Sequence, residues 1–371
     1  MEYTTLDKIC ENLDSQRQPI TGSDRVEGSI PYYGASGVVD YVQDYIFDER
    51  LLLVSEDGAN LLARSTPIAF SIEGKTWVNN HAHVLRFADD IRQKYVEIYL
   101  NSISLEPYIT GSAQPKLNQK MLNEIPIPVV DWEAMKLVVD AAEQVNQIIS
   151  IRKKELEELD NLIQARFVEL FGDPVTNEKN WPRLTLGDVC EIGSSKRVFE
   201  KDYVPNGIPF FRTKEIVELS KGNSISTELF ITEKHFAELK KCYGAPKKDD
   251  LLISAVGTIG TIWIVNGDFE FYFKDGNLIQ IKASSNFNSI FMKCLLNELI
   301  ANYKNEMSTG TAYSALTIAG LKSMLVYDVP LALQEQFADF VKQVDKSKAA
   351  VQKALDEAQI LFDSLMQKYF G

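Results

Sequence analysis

Two stretches, LIQARFVELFG at 162–172 and LFDSLMQKYFG at 361–371, share a pattern of apolar residues and both end in Phe-Gly. They lie 199 residues apart, and the same offset places Leu52, Ser55 and Gly58 on Leu251, Ser254 and Gly257. At the front, TLDKICE (5–11) matches TLGDVCE (185–191) at an offset of 180, and IPYY (30–33) matches IPFF (208–211) at 178. The sequence therefore predicts one unit that occurs twice, the second copy carrying about twenty extra residues (199 less 178) between 211 and 251.

The back part of each unit is predicted to be one long helix, because residues that can pack recur every three or four positions without a slip. About forty residues would form a rod of roughly 60 Å. So long a stripe favours a partner helix, and the obvious partner is the repeat mate, running antiparallel. The alternative is that each helix packs back on its own domain. The predicted seam residues are Met135, Val138, Val145, Ile149, Leu156, Leu159, Ile163, Phe337, Val341, Val344, Val351, Leu355, Phe362 and Leu365.

The front part of each unit has short β-rich runs, such as RLLLVS and HVLRF in the first copy and DLLISAV and NLIQIKA in the second, separated by turn residues. Shorter helical segments follow these runs. The fold class predicted is α+β: two mixed α/β domains, at residues 1–130 and 173–330, each followed by a long helix, at 131–172 and 331–371.

The composition is that of a soluble globular protein of 371 residues, 45% apolar and 25% charged. The N-terminus shows no signal peptide and no segment is long and apolar enough to span a membrane, so a cytoplasmic location is expected. Four scattered cysteines, Cys10, Cys190, Cys242 and Cys294, predict neither a disulfide framework nor a zinc site.

Charge is distributed unevenly along the chain. The net charge of −13 argues against a surface that attracts a polyanion everywhere. Residues 196–248 hold eleven Lys or Arg against seven Asp or Glu, whereas residues 1–131 hold eleven against nineteen. Any nucleic-acid contact is therefore expected to be local.

Two similar domains held at a fixed separation by a pair of long helices would contact a binding partner at two points a fixed distance apart. B-DNA has half-sites that repeat about every 34 Å per turn, so two such domains could each enter a major groove. The middles of the two domains differ in sequence, which predicts a split, asymmetric target.

The motifs that carry a family resemblance occur in the same order in both halves: IPYYGASGVVDYVQDYIF, LLLVSEDGANL and NNHAHVLRF, then GIPFFRTKEI, LLISAVGTIGTI and GNLIQIKA. TGSAQPKLNQKMLNEIPIPV and STGTAYSALTIAGLKSMLVYDVPLALQEQF each lead into a long helix. In this arrangement the chain resembles the specificity subunit of type I restriction-modification systems. It departs from the usual pattern in the opening of the first long helix, DWEAMKLVV, and in the acidity of the first domain.

The resemblance implies two target-recognition domains, each reading a half-site in double-stranded DNA, with the helices setting the unread spacer. It also implies that the chain has no catalysis and no cofactor of its own. Its implied partners are two adenine-methylating modification subunits and, in the full complex, restriction subunits.

Side-chain chemistry indicates the candidate DNA contacts, since Arg, Lys, Asn and Gln read base edges, and hydroxyls and cations hold phosphates. In the first half they are Tyr32, Tyr33, Ser36, Asn60, Arg64, Asn79, Asn80, His81 and Lys116, with Asp57 in the same loops. In the second half they are Lys196, Arg197, Arg212, Thr213, Lys214, Thr258, Lys274, Asn277, Thr311 and Tyr313. TGSAQPK and STGTAYS precede helices and are expected either to hold phosphate or to cap those helices.

Enzymatic alternatives find little support in the sequence. Neither a methyltransferase cofactor loop nor a Walker loop is present. Asp57, Glu73 and Lys75 imitate the spacing of a Mg²⁺-dependent nuclease, but the second copy has no counterpart. His81 and His83 share a strand face and could ligate a metal, yet no third ligand is evident nearby, so no metal site is expected.

The open alternative of another class is a two-headed scaffold that joins two protein partners without DNA. The salt dependence of binding distinguishes the DNA-reading hypothesis from this scaffold hypothesis, because binding driven by phosphate contacts weakens steeply as ionic strength rises.

Overall fold

A computed structural model of the chain describes residues 2–111, 114–267, 269–308 and 315–371. It divides into two compact units, the first formed by Met1–Glu155 with Val351–Gly371 and the second by Leu156–Ala350. Each unit is a mixed α/β body closed by segments of both long helices.

The first half of the chain contains these elements: β1 (Glu2–Thr4), α1 (Leu6–Ile9), β2 (Cys10–Asn12), β3 (Glu27–Gly34), β4 (Gly37–Val42), β5 (Phe47–Asp48), β6 (Leu51–Ser55), α2 (Asn60–Ala63), β7 (Ala69–Ile72), β8 (Lys75–Val78), β9 (Ala82–Phe87), α3 (Asp90–Ser102), α4 (Gln119–Asn123), β10 (Ile127–Val129) and α5 (Trp132–Phe171).

The second half contains β11 (Arg183–Thr185), α6 (Leu186–Val189), β12 (Ile192–Gly193), β13 (Tyr203–Val204), β14 (Ile208–Phe211), α7 (Thr213–Ser220), β15 (Phe230–Ile231), α8 (Glu233–Tyr243), β16 (Leu251–Ser254), β17 (Ile262–Ile264), β18 (Tyr272–Phe273), β19 (Leu278–Ile281), α9 (Ser289–Ser308), α10 (Ile318–Ser323), β20 (Leu325–Tyr327) and α11 (Leu331–Phe370).

The repeat seen in the sequence recurs in the sheets. One four-stranded sheet has the order β2-β9-β6-β7 in the first unit and β12-β19-β16-β17 in the second. A second four-stranded sheet, β4-β3-β8-β5 or β13-β15-β14-β18, holds a parallel pair in each unit, β3 with β8 and β14 with β18. A short ribbon, β1-β10 or β11-β20, leads into each long helix. The central strands β6 and β16 are apolar apart from a final serine and are buried throughout, as expected of strands covered on both faces.

The long helices have local start and stop signals. Asp131 accepts a hydrogen bond from the Ala134 amide at the start of α5, and no Gly or Pro interrupts the following 40 residues. Gly172, with a φ of +77°, follows the last helical residue, because glycine adopts the left-handed conformation that ends a helix without a steric penalty.

Within the second unit, the end of α5 packs against the start of α11. Asp160 pairs with Lys348 at 2.7 Å, the Arg166 guanidinium lies over the Phe340 ring, and the Phe167 and Phe337 rings meet edge to face. Residue numbers rise along one helix as they fall along the other, so these segments run antiparallel. Predicted seam residues buried or packed in the core of this unit are Leu159, Ile163, Phe337, Val341 and Val344.

Within the first unit, the start of α5 packs against the end of α11. Val145, Ile149 and Ala358 are buried together, and predicted seam residues packed in this unit are Met135, Val138, Leu355, Phe362 and Leu365. Phe370 closes the packing against Tyr95 and Tyr99, with ring centroids 5.4 and 5.1 Å apart. Leu156 and Val351 are half-buried.

Candidate nucleic-acid interface

In the first unit, several of the predicted loops meet at one end of the central sheet. Strands β6 and β9 are antiparallel with Ser55 opposite Ala82, so the loop after β6 meets the loop before β9. Because β3 and β8 run parallel, the residues that follow them, including Ser36 and Asn79, lie at that same end. We call this end, where Ser55 meets Ala82, the loop end of the first unit.

Direct contacts join these loops. The His81 Nδ1 lies 2.9 Å from Asp57 Oδ2, and the Glu56 amide donates to the His81 carbonyl at 2.9 Å. Asp57 pairs with Lys116 in an isolated bridge, and the Lys116 ammonium lies 3.1 Å from Glu56. The loop end thus gathers segments that are widely separated in sequence.

Of the predicted contacts, Ser36, Asn80, His81 and Lys116 are exposed at the loop end. Asn79 is buried there, and its side-chain oxygen accepts from the His81 amide at 2.8 Å. Tyr33 is half-buried against Phe70, and burial raises its pKa.

Three predicted contacts bind groups of their own unit instead. Tyr32 is 1% exposed, and its hydroxyl accepts from the Ile20 amide at 3.0 Å. Asn60 binds residues of its own loop, accepting from the Thr66 amide at 3.0 Å. The Arg64 guanidinium donates to carbonyls at the end of α3, including those of Leu100 and Asn101 at 3.0 Å, and burial lowers its pKa. These three side chains thus bind groups of their own unit, and a contact of any of them with DNA stays a prediction.

A polar network that sequence reasoning missed lies beneath the loop end. Arg17 donates to Glu56 at 2.6 Å, and His83 Nδ1 lies 2.6 Å from Asp14. Burial alone would raise the pKa values of Asp14 and Glu56. The hydrogen bonds and charges of His83 and Arg17 hold both pKa values below their ordinary range. The alignment of Arg17 with Arg197 at the offset of 180 is the sequence signal that could have drawn attention to it.

Three candidate ligands come close together around His83, without His81, but these residues do not fit a metal ion. Donor atoms of Asp14, Glu56 and His83 lie within 4.8 Å of one another. Arg17 already supplies positive charge to both carboxylates, and the two His83 nitrogens are used by Asp14 and by the Leu117 carbonyl at 2.7 Å. A cation would have to displace Arg17.

The nuclease-like triplet does not converge. Asp57 follows β6 at the loop end, whereas Glu73 and Lys75 flank the turn between β7 and β8. Since Leu51 at the start of β6 pairs with Ile72, that turn lies at the opposite end of the sheet.

The second unit builds its loop end in the same way, where Ser254 of β16 lies opposite Leu278 of β19. The Ala255 amide donates to the Asn277 carbonyl at 2.8 Å, as Glu56 does to His81 in the first unit. Asn277 therefore occupies the place of His81. Both residues were predicted from sequence as DNA contacts.

Basic side chains surround this second loop end. Arg197 is 65% exposed and pairs with Asp275 at 2.9 Å. Lys196 is exposed, and its ammonium lies 5.4 Å from the Tyr243 ring centroid. Thr258 is exposed in the loop after β16, and Lys274 directly follows β18.

The remaining candidates of the second half lie at the start of α7 or outside the described residues. Arg212 pairs with Glu215 and Glu228 at 2.9 and 3.1 Å, and Lys214 shares Glu228 at 3.4 Å. The Thr213 hydroxyl is buried and has no hydrogen-bond partner within the described part of the chain. Thr311 and Tyr313 lie outside the described residues.

The two halves differ in how their cations are used. Eight of the eleven Lys and Arg in residues 1–131 form ion pairs: Arg17, Arg25, Arg50, Arg86, Arg92, Lys94, Lys116 and Lys120. Six of the eleven in residues 196–248 form none within the ranges that the structure describes: Lys196, Lys201, Lys234, Lys241, Lys247 and Lys248. Residues 196–248 thus have more uncompensated positive charge for phosphate than residues 1–131.

Comparison with known proteins assigns the family. A family model described as "Type I restriction modification DNA specificity domain" matches residues 1–161 and again residues 178–359. Because these matches cover most of the chain, it belongs to the family of type I restriction-modification specificity proteins. The function of the chain is accordingly DNA sequence recognition in a restriction system.

Two curated relatives are similar over nearly the whole chain. A putative type I restriction enzyme specificity subunit of Haemophilus influenzae is 28% identical over 361 residues, covering 96% of this chain and 90% of the relative. The type I restriction enzyme MjaIX specificity subunit of Methanocaldococcus jannaschii is 23% identical over 378 residues, covering 92% and 86%.

Solved structures share the fold. A type I restriction-modification S subunit from M. genitalium superposes with a TM-score of 0.61 at 15% identity, covering 100% of this chain and 96% of that one. A chain from a structure titled for complex assembly and conformational transition of the type I R-M system gives 0.53 at 16% identity, covering 99% and 96%. The predicted mixed α/β fold is confirmed. No helix among the described residues is long and apolar enough to cross a membrane.

Proposed function

We propose that this chain is the DNA-reading subunit of a type I restriction-modification complex and that it reads a split, asymmetric target. Residues 1–130 and 173–330 each read one half-site, and the helices at 131–172 and 331–371 set the unread spacer. The observation that carries this proposal is the recurrence of one loop end with different side chains: His81 and Asp57 in the first unit, Asn277 and Val256 at the corresponding places in the second.

The chemistry at the loop ends suits different base edges. Asn277 can donate to and accept from adenine, and Arg197 can pair with guanine or phosphate. His81 and Asn80 are exposed together at the first loop end. The two loop ends share backbone contacts but carry different side chains. Two domains that recognise different DNA sequences with one fold require such a combination.

The proposed spacer rests on the long helices. Each has 40 residues, and within each unit a segment of one is packed against a segment of the other. Helices held at both of their ends are suited to fixing a distance, since packed side chains prevent sliding.

The proposed partners follow from the relatives' names and from charge. The chain carries no catalysis of its own in this proposal. It binds two modification subunits and, in the full complex, restriction subunits. Because most cations of residues 1–131 are neutralised internally, the modification subunits would supply much of the phosphate-binding surface on that side.

The test is to co-express the chain with the methyltransferase subunits of its own restriction system and to map methylated adenines across the host genome. The proposal expects a motif with two specified parts separated by unspecified base pairs. Active partners that produce no motif, or one uninterrupted motif, would refute it. A scaffold without DNA contacts would instead give a complex whose assembly barely responds to salt and which does not retain duplex DNA.

A further inference from the structure

The first unit contains a buried polar network that has no counterpart at the equivalent positions among the described residues of the second unit. It consists of Asp14, Arg17, Glu56 and His83, and we call it the buried network. His83 is 1% exposed, and the Arg17 side chain is 14% exposed. Charged and polar groups are rarely buried together unless each finds partners, because desolvation is costly.

The contacts of the buried network tie together the segments that form the first loop end. Besides Glu56, Arg17 donates to the Ala82 carbonyl at 2.7 Å, immediately after His81. His83 donates through Nε2 to the Leu117 carbonyl, next to Lys116. One oxygen of Asp14 accepts from His83 and the other from the Val84 amide at 2.8 Å.

The second unit shows that this architecture does not require the network. The repeat offsets place Asp14 on Ser194 and Glu56 on Ala255. Leu85 pairs with Leu52 in the first unit, and Ile281 pairs with Leu251 in the second. Because Leu52 and Leu251 are equivalent in the repeat, Leu85 corresponds to Ile281, and His83, two residues earlier, corresponds to Ile279.

In the second unit, the positions of Glu56 and His83 are therefore occupied by apolar residues, Ala255 and Ile279, and both are buried. Arg197, the equivalent of Arg17, is exposed and forms an ion pair with Asp275. Apolar residues build the same sheet end without the cost of buried charge.

We propose that Arg17, Glu56 and His83 are positioning residues that fix the first loop end for its half-site and so determine the specificity of that half. This inference rests on the proposed function. The network holds the backbone around Asp57, His81 and Lys116 in one arrangement, because moving any of these loops breaks a charge-assisted hydrogen bond in a buried site. Sequence discrimination follows from that fixed geometry, as a displacement of a reading side chain misaligns it with its base edge.

The experiment uses the complex with its methyltransferase subunits and two variants of the network. Glu56→Gln keeps the size of the side chain and removes its charge. A triple variant, Asp14→Ser with Glu56→Ala and His83→Ile, installs the residues of the second unit. The matched control is Glu49→Gln, which weakens the ion pair of Glu49 with Arg86 at 2.6 Å near the opposite end of the same sheet.

Two quantities are measured: methylation at sites with one mismatch in either half of the motif, and amide hydrogen exchange along the chain. We expect discrimination against mismatches in the half read by the first unit to fall about tenfold, with the other half unchanged. Exchange should rise in residues 56–58, 79–81 and 114–117, while β6 and β9 stay protected. Glu49→Gln should change neither discrimination nor loop exchange.

Three results would overturn the inference. Discrimination could fall equally in both halves, or it could stay at the wild-type level although the loops exchange faster. The triple variant could also unfold the first unit, which would show that the fold needs the buried network. The absence of any motif with the unmodified chain would instead refute the proposed function, so the two failures are distinguishable.

Discussion

Replacing Phe171 with alanine tests where the first long helix is anchored. Phe171 is the last residue of α5 and is fully buried in the second unit. Its ring centroid lies 4.7 Å from that of Phe291, 5.0 Å from Phe167 and 5.6 Å from Phe337. The repeat supplies a matched variant, since Phe370 is the equivalent residue at the end of α11 and packs in the first unit.

The expected effects differ because the two rings are buried to different extents. Removing a fully buried phenylalanine ring from a packed core costs about 3–5 kcal/mol. Phe370 is only half-buried and contacts two tyrosine rings, so its removal should cost roughly 1–3 kcal/mol. Phe171→Ala should therefore weaken the second unit more than Phe370→Ala weakens the first.

The assay is native-state hydrogen exchange read by peptide, in parallel with urea unfolding. In Phe171→Ala, β16 and β19 should lose protection while β6 and β9 keep most of theirs. Phe370→Ala should show the reverse, with the smaller change. Loss of protection confined to the first unit in Phe171→Ala would refute the reasoning, because α5 would then be anchored in the half of the chain that precedes it.

Three further predictions concern DNA binding and acid stability. Lys196→Ala should lower the affinity of the assembled complex for DNA evenly across target sequences and reduce the slope of log affinity against log salt by about one, as measured by titrations at several ionic strengths; an unchanged slope would exclude a phosphate contact. Asn277→Ala should cost about 1–3 kcal/mol of discrimination within the second half-site alone, measured by competition with single-base variants; equal losses in both halves would contradict its placement. Since the folded pKa of Asp14 is lowered, its ionised form stabilises the fold above the ordinary carboxyl range near about 4, and this contribution is lost as pH falls through the folded pKa. Asp14→Asn should therefore flatten the dependence of unfolding free energy on pH below about pH 5, and a curve parallel to that of the unmodified chain would show that Asp14 is not the group responsible.

The long helices and the repeat could be predicted from sequence because their signals are local and sustained. A spacing of three and four over forty residues has no other regular solution, and the flanking Asp131 and Gly172 mark the ends of α5. The loop ends were partly predictable, since turn residues with polar side chains bracket the central strands. This pattern predicts His81 and Asn277 as contacts, and strand register places them at equivalent positions.

The roles of the buried side chains could not be predicted, because their partners are distant in sequence. Arg64 looks like a DNA contact, yet its acceptors begin 36 residues away, at the end of α3. Arg17 finds Glu56 39 residues later and the Ala82 carbonyl 65 residues later. Only the folded chain brings these groups together, so composition and spacing do not identify their partners.

The most direct measurement of the central claim is a domain exchange. Residues 184–330 would be replaced by the corresponding segment of another specificity subunit, and methylated adenines would be mapped in cells that contain the modification subunits. The account predicts that one part of the split motif changes to the donor's sequence while the other part is retained. A motif in which both parts change, or in which neither does, would contradict it.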